Sequence, residues 1–316
     1  MTQHEAELEK FKTLHNRFRV QPGYKSIDHH GFTMSENPDI LFTALVHGNE
    51  VIGLQVLNLF LEKTLKSNHK APYTFAVLLC NVPAYDKNQR FINKDLNRSF
   101  QAPIDTPKIE KGQEYYRAQQ IEDIIQNLQP RFIIDLHQTT EPTLSPFFML
   151  PEEESLVLSA SVICKEWPII TFDPSGFSKD GKTLMEFARG ENIPALVIEI
   201  SQNGFDLNLA KSICEQLFYL NAEAIITPPK KDDVSYFKIT QHLTKFIVGS
   251  ELMPGFQNLQ PVKENDILGI TPAGNEYFCP ADGIFIFPKY GHQAEVSTEL
   301  GLIATPRNFL QLKADS

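Results

Sequence analysis

The chain has 316 residues, a formal net charge of −10 and a pI of about 5.4, with 42% hydrophobic and 22% charged residues. Those totals describe one large globular domain or two ordinary ones. The acidic balance argues against nucleic acid and anionic membrane surfaces as partners, because both attract Lys/Arg patches. Four cysteines (Cys80, Cys164, Cys214, Cys279) stand far apart with no CxxC pair, so they read as reduced thiols. The first twenty residues lack an apolar signal core, and no apolar run approaches the roughly 20 residues that span a bilayer. A soluble cytoplasmic protein is the expectation.

In chain order, Ile40–Val46 (ILFTALV) has a buried-strand pattern and Val51–Leu65 carries apolar residues at helical spacing. Tyr73–Leu79 is again strand-like. Glu110–Leu128 predicts a helix closed by Pro130, and Phe132–Leu136 (FIIDL) a strand. Phe147–Leu150 predicts another strand, Glu152–Lys165 a helix, Ala195–Ile200 (ALVIEI) a strand, and 207–224 a helix. This alternation implies an α/β layered domain with a largely parallel sheet. After Pro228-Pro229 the runs Val234–Phe246, Ile267–Ile270, Tyr277–Cys279 and Ile284–Phe287 are short and β-like, separated by Gly and Pro turns. An α/β domain over residues 1–228 and a small all-β domain over residues 229–316 are expected.

His47-Gly48-Asn49-Glu50 falls where a predicted strand ends and a helix begins, and His137 follows another predicted strand. Open α/β sheets place their sites at the carboxyl ends of strands. Two imidazoles and one carboxylate form a ligand set of catalytic zinc, with a fourth position left for water. Asp135, two residues before His137 on the same side of the strand, is positioned to orient a ligand. A lone HxxE is nonetheless a common pattern, and a His at a strand end is more often a satisfied polar residue. His4, His15, His69, His242 and His292 have no comparable context; the His29-His30 pair is an outside candidate.

Glu199 lies inside the apolar ALVIEI run, where an acidic side chain is costly to bury without a partner or a task. Beside an activated water it would serve as general base and then return the proton to a leaving amine; an ordinary salt bridge is the alternative. Arg90 to Arg98 (RFINKDLNR) forms a polar loop with two arginines eight apart. Arginine suits carboxylate recognition and oxyanion stabilisation, although a solvated loop explains the same charges.

Taken together, His47-Gly48-Asn49-Glu50, Asn81-Val82-Pro83, Arg90, Asp95-Leu96-Asn97-Arg98, Asp135-Leu136-His137 and Ile198-Glu199 resemble the succinylglutamate desuccinylase/aspartoacylase branch of the zinc carboxypeptidases, in order and spacing, over about residues 40–205. The resemblance implies a zinc-carboxypeptidase-like mixed sheet flanked by helices, with a small C-terminal all-β domain. It implies one Zn2+ per chain, held by His47, Glu50 and His137, and hydrolysis of a small anionic N-acyl amino acid. Glu199 would be the catalytic carboxylate and Arg90 would polarise the scissile carbonyl. Asn97 and Arg98 would bind a substrate carboxylate. Arg189, ten residues before Glu199, and Tyr290 in the C-terminal region would be further substrate contacts. The tail from Glu264 to Gly283 is similar to the β-barrel appended to deacylases of this branch. The first forty residues match nothing in that pattern.

Two other functions are open at this level. A metallocarboxypeptidase acting on peptide C-termini would share the metal site, and a catalytically silent binding module would bind an acyl amino acid without consuming it. An exposed sheet edge could support a homodimer.

Overall fold

The computed structural model describes residues 1–67, 71–102, 112–173, 182–231, 234–244, 249–290 and 299–308. His69 and His292 lie outside them, as do residues 245–246 of the predicted Val234–Phe246 strand and 110–111 of the predicted Glu110–Leu128 helix.

Helix α1 (Gln3–Phe18) opens the chain, capped reciprocally by Thr2 and Glu5. Its Leu8, Phe11, Leu14 and Phe18, spaced three and four apart, form one buried stripe. Strands β1 (Lys25–Asp28) and β2 (Gly31–Thr33) make a hairpin, and β3 (Ile40–Ala44) follows. Next come α2 (Ile52–Lys66), β4 (Phe75–Leu79) and the short α3 (Val82–Asp86), which Asn81 caps through the backbone N–H of Ala84. Helix α4 (Gln113–Leu128) leads to β5 (Ile133–Thr139) and β6 (Phe147–Pro151). Then follow α5 (Glu154–Ile163), β7 (Ile169–Phe172), α6 (Leu184–Gly190) and β8 (Ala195–Gln202). The region predicted as one helix over 207–224 is two, α7 (Leu207–Phe218) and α8 (Ala222–Ile226); the chain breaks where Asn221 caps the second. The remaining described elements are strands: β9 (Ser235–Thr244), β10 (Glu251–Leu252), β11 (Gln260–Val262), β12 (Ile267–Ile270), β13 (Glu276–Phe278), β14 (Gly283–Ile286) and β15 (Glu299–Asn308).

One sheet carries most of these strands, in the order β1-β2-β4-β3-β5-β8-β6-β7-β9-β15-β14-β11. It is parallel through β4-β3-β5-β8 and through β6-β7-β9, and antiparallel elsewhere, so the expected parallel character holds only in those two stretches. A separate small sheet joins β10, β12 and β13. Apolar side chains pack on both faces of the large sheet: α1, α2, α5 and α7 cover one, α4 and α6 the other. Strands buried on both faces need continuous apolar runs, and ILFTA and FAVLL supply them. All four cysteines are buried and unpaired. Among the described residues no helix is long and apolar enough to cross a membrane.

Arg117 on α4 ties three elements together. Its Nε donates to the Cys80 carbonyl at 2.7 Å and one terminal nitrogen to the Leu79 carbonyl at 3.0 Å and Asp28 Oδ2 at 2.6 Å. Burial by itself would raise the Asp28 carboxyl, but the hydrogen bond and charge of Arg117 outweigh it and hold Asp28 below its ordinary value. A depressed folded-state value contributes stability above the unfolded-state value, and that contribution is lost as pH falls through the folded one. Asp28→Asn should therefore lower the unfolding free energy at pH 7 by about 1–3 kcal/mol. The gap to the parent should narrow as pH drops below about 4. Urea unfolding of both proteins across that range checks it.

Candidate metal centre and active site

The alternation of side chains along a strand decides which residues meet. In the parallel pair β5–β8, His137 lies opposite Glu199 and Asp135 opposite Val197; in β3–β5, Thr43 lies opposite Asp135. Asp135 and His137, two apart, therefore share a face of the sheet with Glu199. His137 is inside β5, which runs on to Thr139, three residues past the predicted end. After β3 the chain turns through Leu45 at φ 59° and delivers His47 and Glu50 to the same end of the sheet. Gly48 is demanded there: a Cβ would stand 2.2 Å from the backbone of Ala84 and Tyr85.

One atom from each of His47, Glu50 and His137 lies within 4.8 Å of the others, and all three residues are buried. This is the group of potential metal ligands found among the described residues; the His29-His30 pair does not join one. Each imidazole stands between two carboxylates. His47 Nδ1 is 2.6 Å from Glu50 Oε1, and its Nε2 is 3.0 Å from Asp95 Oδ1. His137 Nδ1 is 2.8 Å from Glu50 Oε2, and its Nε2 is 2.7 Å from Asp135 Oδ2. A neutral imidazole has one N–H, so it can donate to only one of its two carboxylates. Neutral rings that donate outward from Nε2 would offer their Nδ1 lone pairs to a cation beside Glu50. The outward contact to a carboxylate is the arrangement that orients metal-binding histidines.

Charge favours the cation. With both rings neutral, Glu50, Asp95 and Asp135 carry three negative charges against the one positive charge of Arg90, which touches Glu50 at 3.2 Å and Asp95 at 3.3 Å. Arg98 acts on Asp95 as well, so a divalent ion would offset the remaining excess of negative charge. Burial would raise Glu50 and Asp95, but the neighbouring imidazoles, with Arg90 and Arg98 for Asp95, hold both well below the ordinary range. Burial would lower His137, yet Asp135 and Glu50 outweigh it and hold the ring well above its ordinary value. The donor set of two imidazole nitrogens and one carboxylate thus fits a divalent transition metal.

Glu199 differs from those carboxylates. It is 8% exposed, its Oε2 makes no hydrogen bond, and burial pushes its carboxyl up to about 7. Like the histidines it lines a cavity of about 410 Å³ that also receives Arg90, Asn97 and Arg98. Asn97 uses its Oδ1 to accept from the backbone of Leu184 at the start of α6, and Arg98 donates to the Asn97 carbonyl at 2.6 Å.

Arg189 and Tyr290 are not brought into this cavity. The Arg189 side chain is 51% exposed and pairs with Glu153 at 2.6 Å beside a second cavity. The Tyr290 hydroxyl accepts from the Phe256 N–H at 2.8 Å and donates to the Met253 carbonyl at 3.1 Å. Sequence reasoning gave no role to Asp95, Gln138, Asn258 or the far wall of His242, Lys289 and Glu299. Gln138 braces the centre: its N–H donates to Glu50 Oε2 at 3.1 Å, and its Oε1 accepts from Ile52, capping α2 where Val51 has no capping side chain. Asn258, fully buried, accepts from Phe287 and donates to the carbonyls of Glu141 and Pro142, tying the C-terminal strands to the loop after β5. Single amides that bridge residues far apart in sequence have no local signal.

Fold and site together define an α/β protein with a buried His-Glu-His group, able to hold a metal ion, at the carboxyl ends of its strands. Residues 36–169 match the family described as "Succinylglutamate desuccinylase/Aspartoacylase catalytic domain". A Xenopus tropicalis N-acyl-aromatic-L-amino acid amidohydrolase (carboxylate-forming) is 32% identical over 108 residues, 33% of this chain and 34% of the relative. A Yersinia pestis succinylglutamate desuccinylase is 27% identical over 134 residues, 41% of this chain and 39% of the relative. The matches thus span between a third and two fifths of those relatives' lengths. Among solved structures, the Vibrio parahaemolyticus succinylglutamate desuccinylase aligns over 94% of both chains at TM-score 0.67 and 12% identity. Murine aminoacylase 3 aligns over 85% of this chain and 95% of its own, at TM-score 0.63 and 16% identity. These two share the fold.

Gly48→Ala should disrupt the turn that delivers His47 and Glu50. Overpacking of this kind costs about 1–3 kcal/mol, and a thermal melt of the variant should show the loss directly.

Proposed function

We propose that the protein is a zinc-dependent amidohydrolase that cleaves a small N-acyl amino acid to a carboxylate and a free amino acid. The observation that carries the reading is the pairing of a three-ligand centre with a separate, unpartnered Glu199 carboxyl raised to about 7 in the same cavity. The match of residues 36–169 to the desuccinylase/aspartoacylase catalytic domain, and the amidohydrolase and desuccinylase names of the relatives, support the same chemistry.

In this reading His47, Glu50 and His137 hold the zinc, and Asp95 and Asp135 orient the two rings. Bound zinc would acidify a water and polarise the scissile carbonyl. Glu199, with a value near working pH, takes the proton from the attacking water and returns it to the amine nitrogen as the C–N bond breaks. Arg90, fixed by Asp95 and Glu50, presents its guanidinium to the developing oxyanion. Arg98 and the Asn97 amide receive the amino acid carboxylate. Arg189 is left out of this reading, since its guanidinium is held by Glu153 beside the other cavity.

The C-terminal strands favour a small substrate over a peptide. Asn258, Phe287, Lys289 and Leu302 all line the cavity, so the C-terminal segment forms part of its wall. Cleavage of long peptides from their C-termini would overturn that preference.

Purified protein should contain about one zinc per chain and release amine from at least one N-acyl amino acid; protein that is metal-free without chelator treatment refutes the reading. Glu199→Gln should keep its zinc while turnover falls by ~10²–10⁴. Asp135→Asn should weaken zinc binding by about 10–100-fold, measured by competition with a chromogenic chelator.

A further inference from the structure

The geometry points to a substrate whose large substituent is apolar rather than a second carboxylate. This deepens the deacylase reading and rests on it. The floor of the cavity crosses the sheet away from Glu199. Val197 on β8 and Met149 on β6 are register partners, and Phe172 on β7 and Leu302 on β15 continue the same surface. Met185 of α6 faces the cavity as well. These five side chains are 2–7% exposed, and each lines the cavity.

Charge is distributed to match. Arg90 and Arg98 stand with the metal ligands, where the scissile carbonyl and one carboxylate would lie. Among the described residues the other lysine or arginine lining the cavity is Lys289. Its ammonium is 2.9 Å from Glu299 Oε1, while Glu299 Oε2 is 2.8 Å from His242 Nδ1. Glu141 adds a further carboxylate to the wall. A substituent carrying a second negative charge would exchange water for methionine, phenylalanine and leucine side chains, with acidic groups nearby. Burying a charge in such surroundings is unfavourable without a partner. An aromatic or aliphatic substituent would instead cover surface that is already apolar.

The apolar group could arrive as the amino acid side chain or as the acyl chain, so the test needs both. Zinc-loaded enzyme would be assayed with N-acetylphenylalanine, N-octanoylglycine, N-acetylaspartate and N-succinylglutamate, and the Glu199→Gln protein titrated calorimetrically with the same four. At least one apolar substrate should exceed both acidic ones by about tenfold or more in kcat/KM, since even a single methylene in an apolar pocket is worth that much. Preference for N-acetylphenylalanine assigns the floor to the side chain, and preference for N-octanoylglycine assigns it to the acyl chain; either supports the inference. Equal or better turnover of an acidic substrate overturns it and leaves the deacylase reading intact. If nothing is cleaved, the deacylase reading fails and binding decides. Apolar ligands bound at least about tenfold tighter than acidic ones uphold an apolar site, and any other pattern, including no binding, overturns it.

Discussion

Glu50 is the residue on which the site depends. Its two carboxylate oxygens face the Nδ1 atoms of His47 and His137, and the far nitrogen of each ring rests on Asp95 or Asp135. Five side chains, from two strand ends and one loop, form a closed set in which no ring can rotate without losing a carboxylate contact. Such a group is costly to bury unless its carboxylates are compensated by positive charge. A divalent ion would supply such charge and give the Nδ1 lone pairs of neutral rings something to bind. Folding and metal binding should therefore be coupled here, as they are wherever ligand repulsion is relieved by the ion.

The scaffold meets this demand through strand alternation. Thr43, Asp135 and Val197 occupy one register row of the sheet, with His137 and Glu199 in a row nearer the strand ends. The first row is structural: Thr43 donates to Asp135 Oδ1 at 2.7 Å and leaves Oδ2 for the His137 ring. The second row is chemical. A slip of β5 by one residue would turn His137 to the face opposite Glu199. The long apolar runs on either side of the site thus hold its geometry as firmly as the ligands do.

Much of this was legible in the sequence, and for physical reasons. The strands Ile40–Ala44 and Phe75–Leu79 and the helix Ile52–Lys66 have strong periodic patterns, and His47 and Glu50 lie between the first of these strands and the helix. The acidic residue in ALVIEI stood out because burial makes it expensive. Other features had no local signature. Helix α1 belongs to a segment without a recognised motif, although its stripe at three- and four-residue spacing is clear once read as a helix. β15 was missed, yet it pairs along most of β9 and supplies Leu302 and Glu299 to the cavity. Arg189 stands at the spacing expected from the family pattern, but α6 directs its guanidinium to Glu153. Spacing along the chain specifies an element, whereas the direction of a side chain depends on how that element packs.

That difference separates the two ends of the cavity. The end proposed to perform chemistry is built from strand termini and short turns, where a few residues in fixed order determine the geometry. The end that would select the substrate is assembled from β6, β7, β15, α6 and the segment after β14, which are distant in sequence. Asn258 is the bridge between them, holding the loop after β5 against Phe287, itself at φ 51°. A non-glycine residue in that conformation persists only where its surroundings compensate, and the Asn258 amide provides such a contact at the cavity wall. Because the wall is fixed by buried hydrogen bonds rather than by the ligand motif, its shape can differ between proteins that share the metal centre. The chemistry can then be common to a family while the preferred substrate is particular to each member.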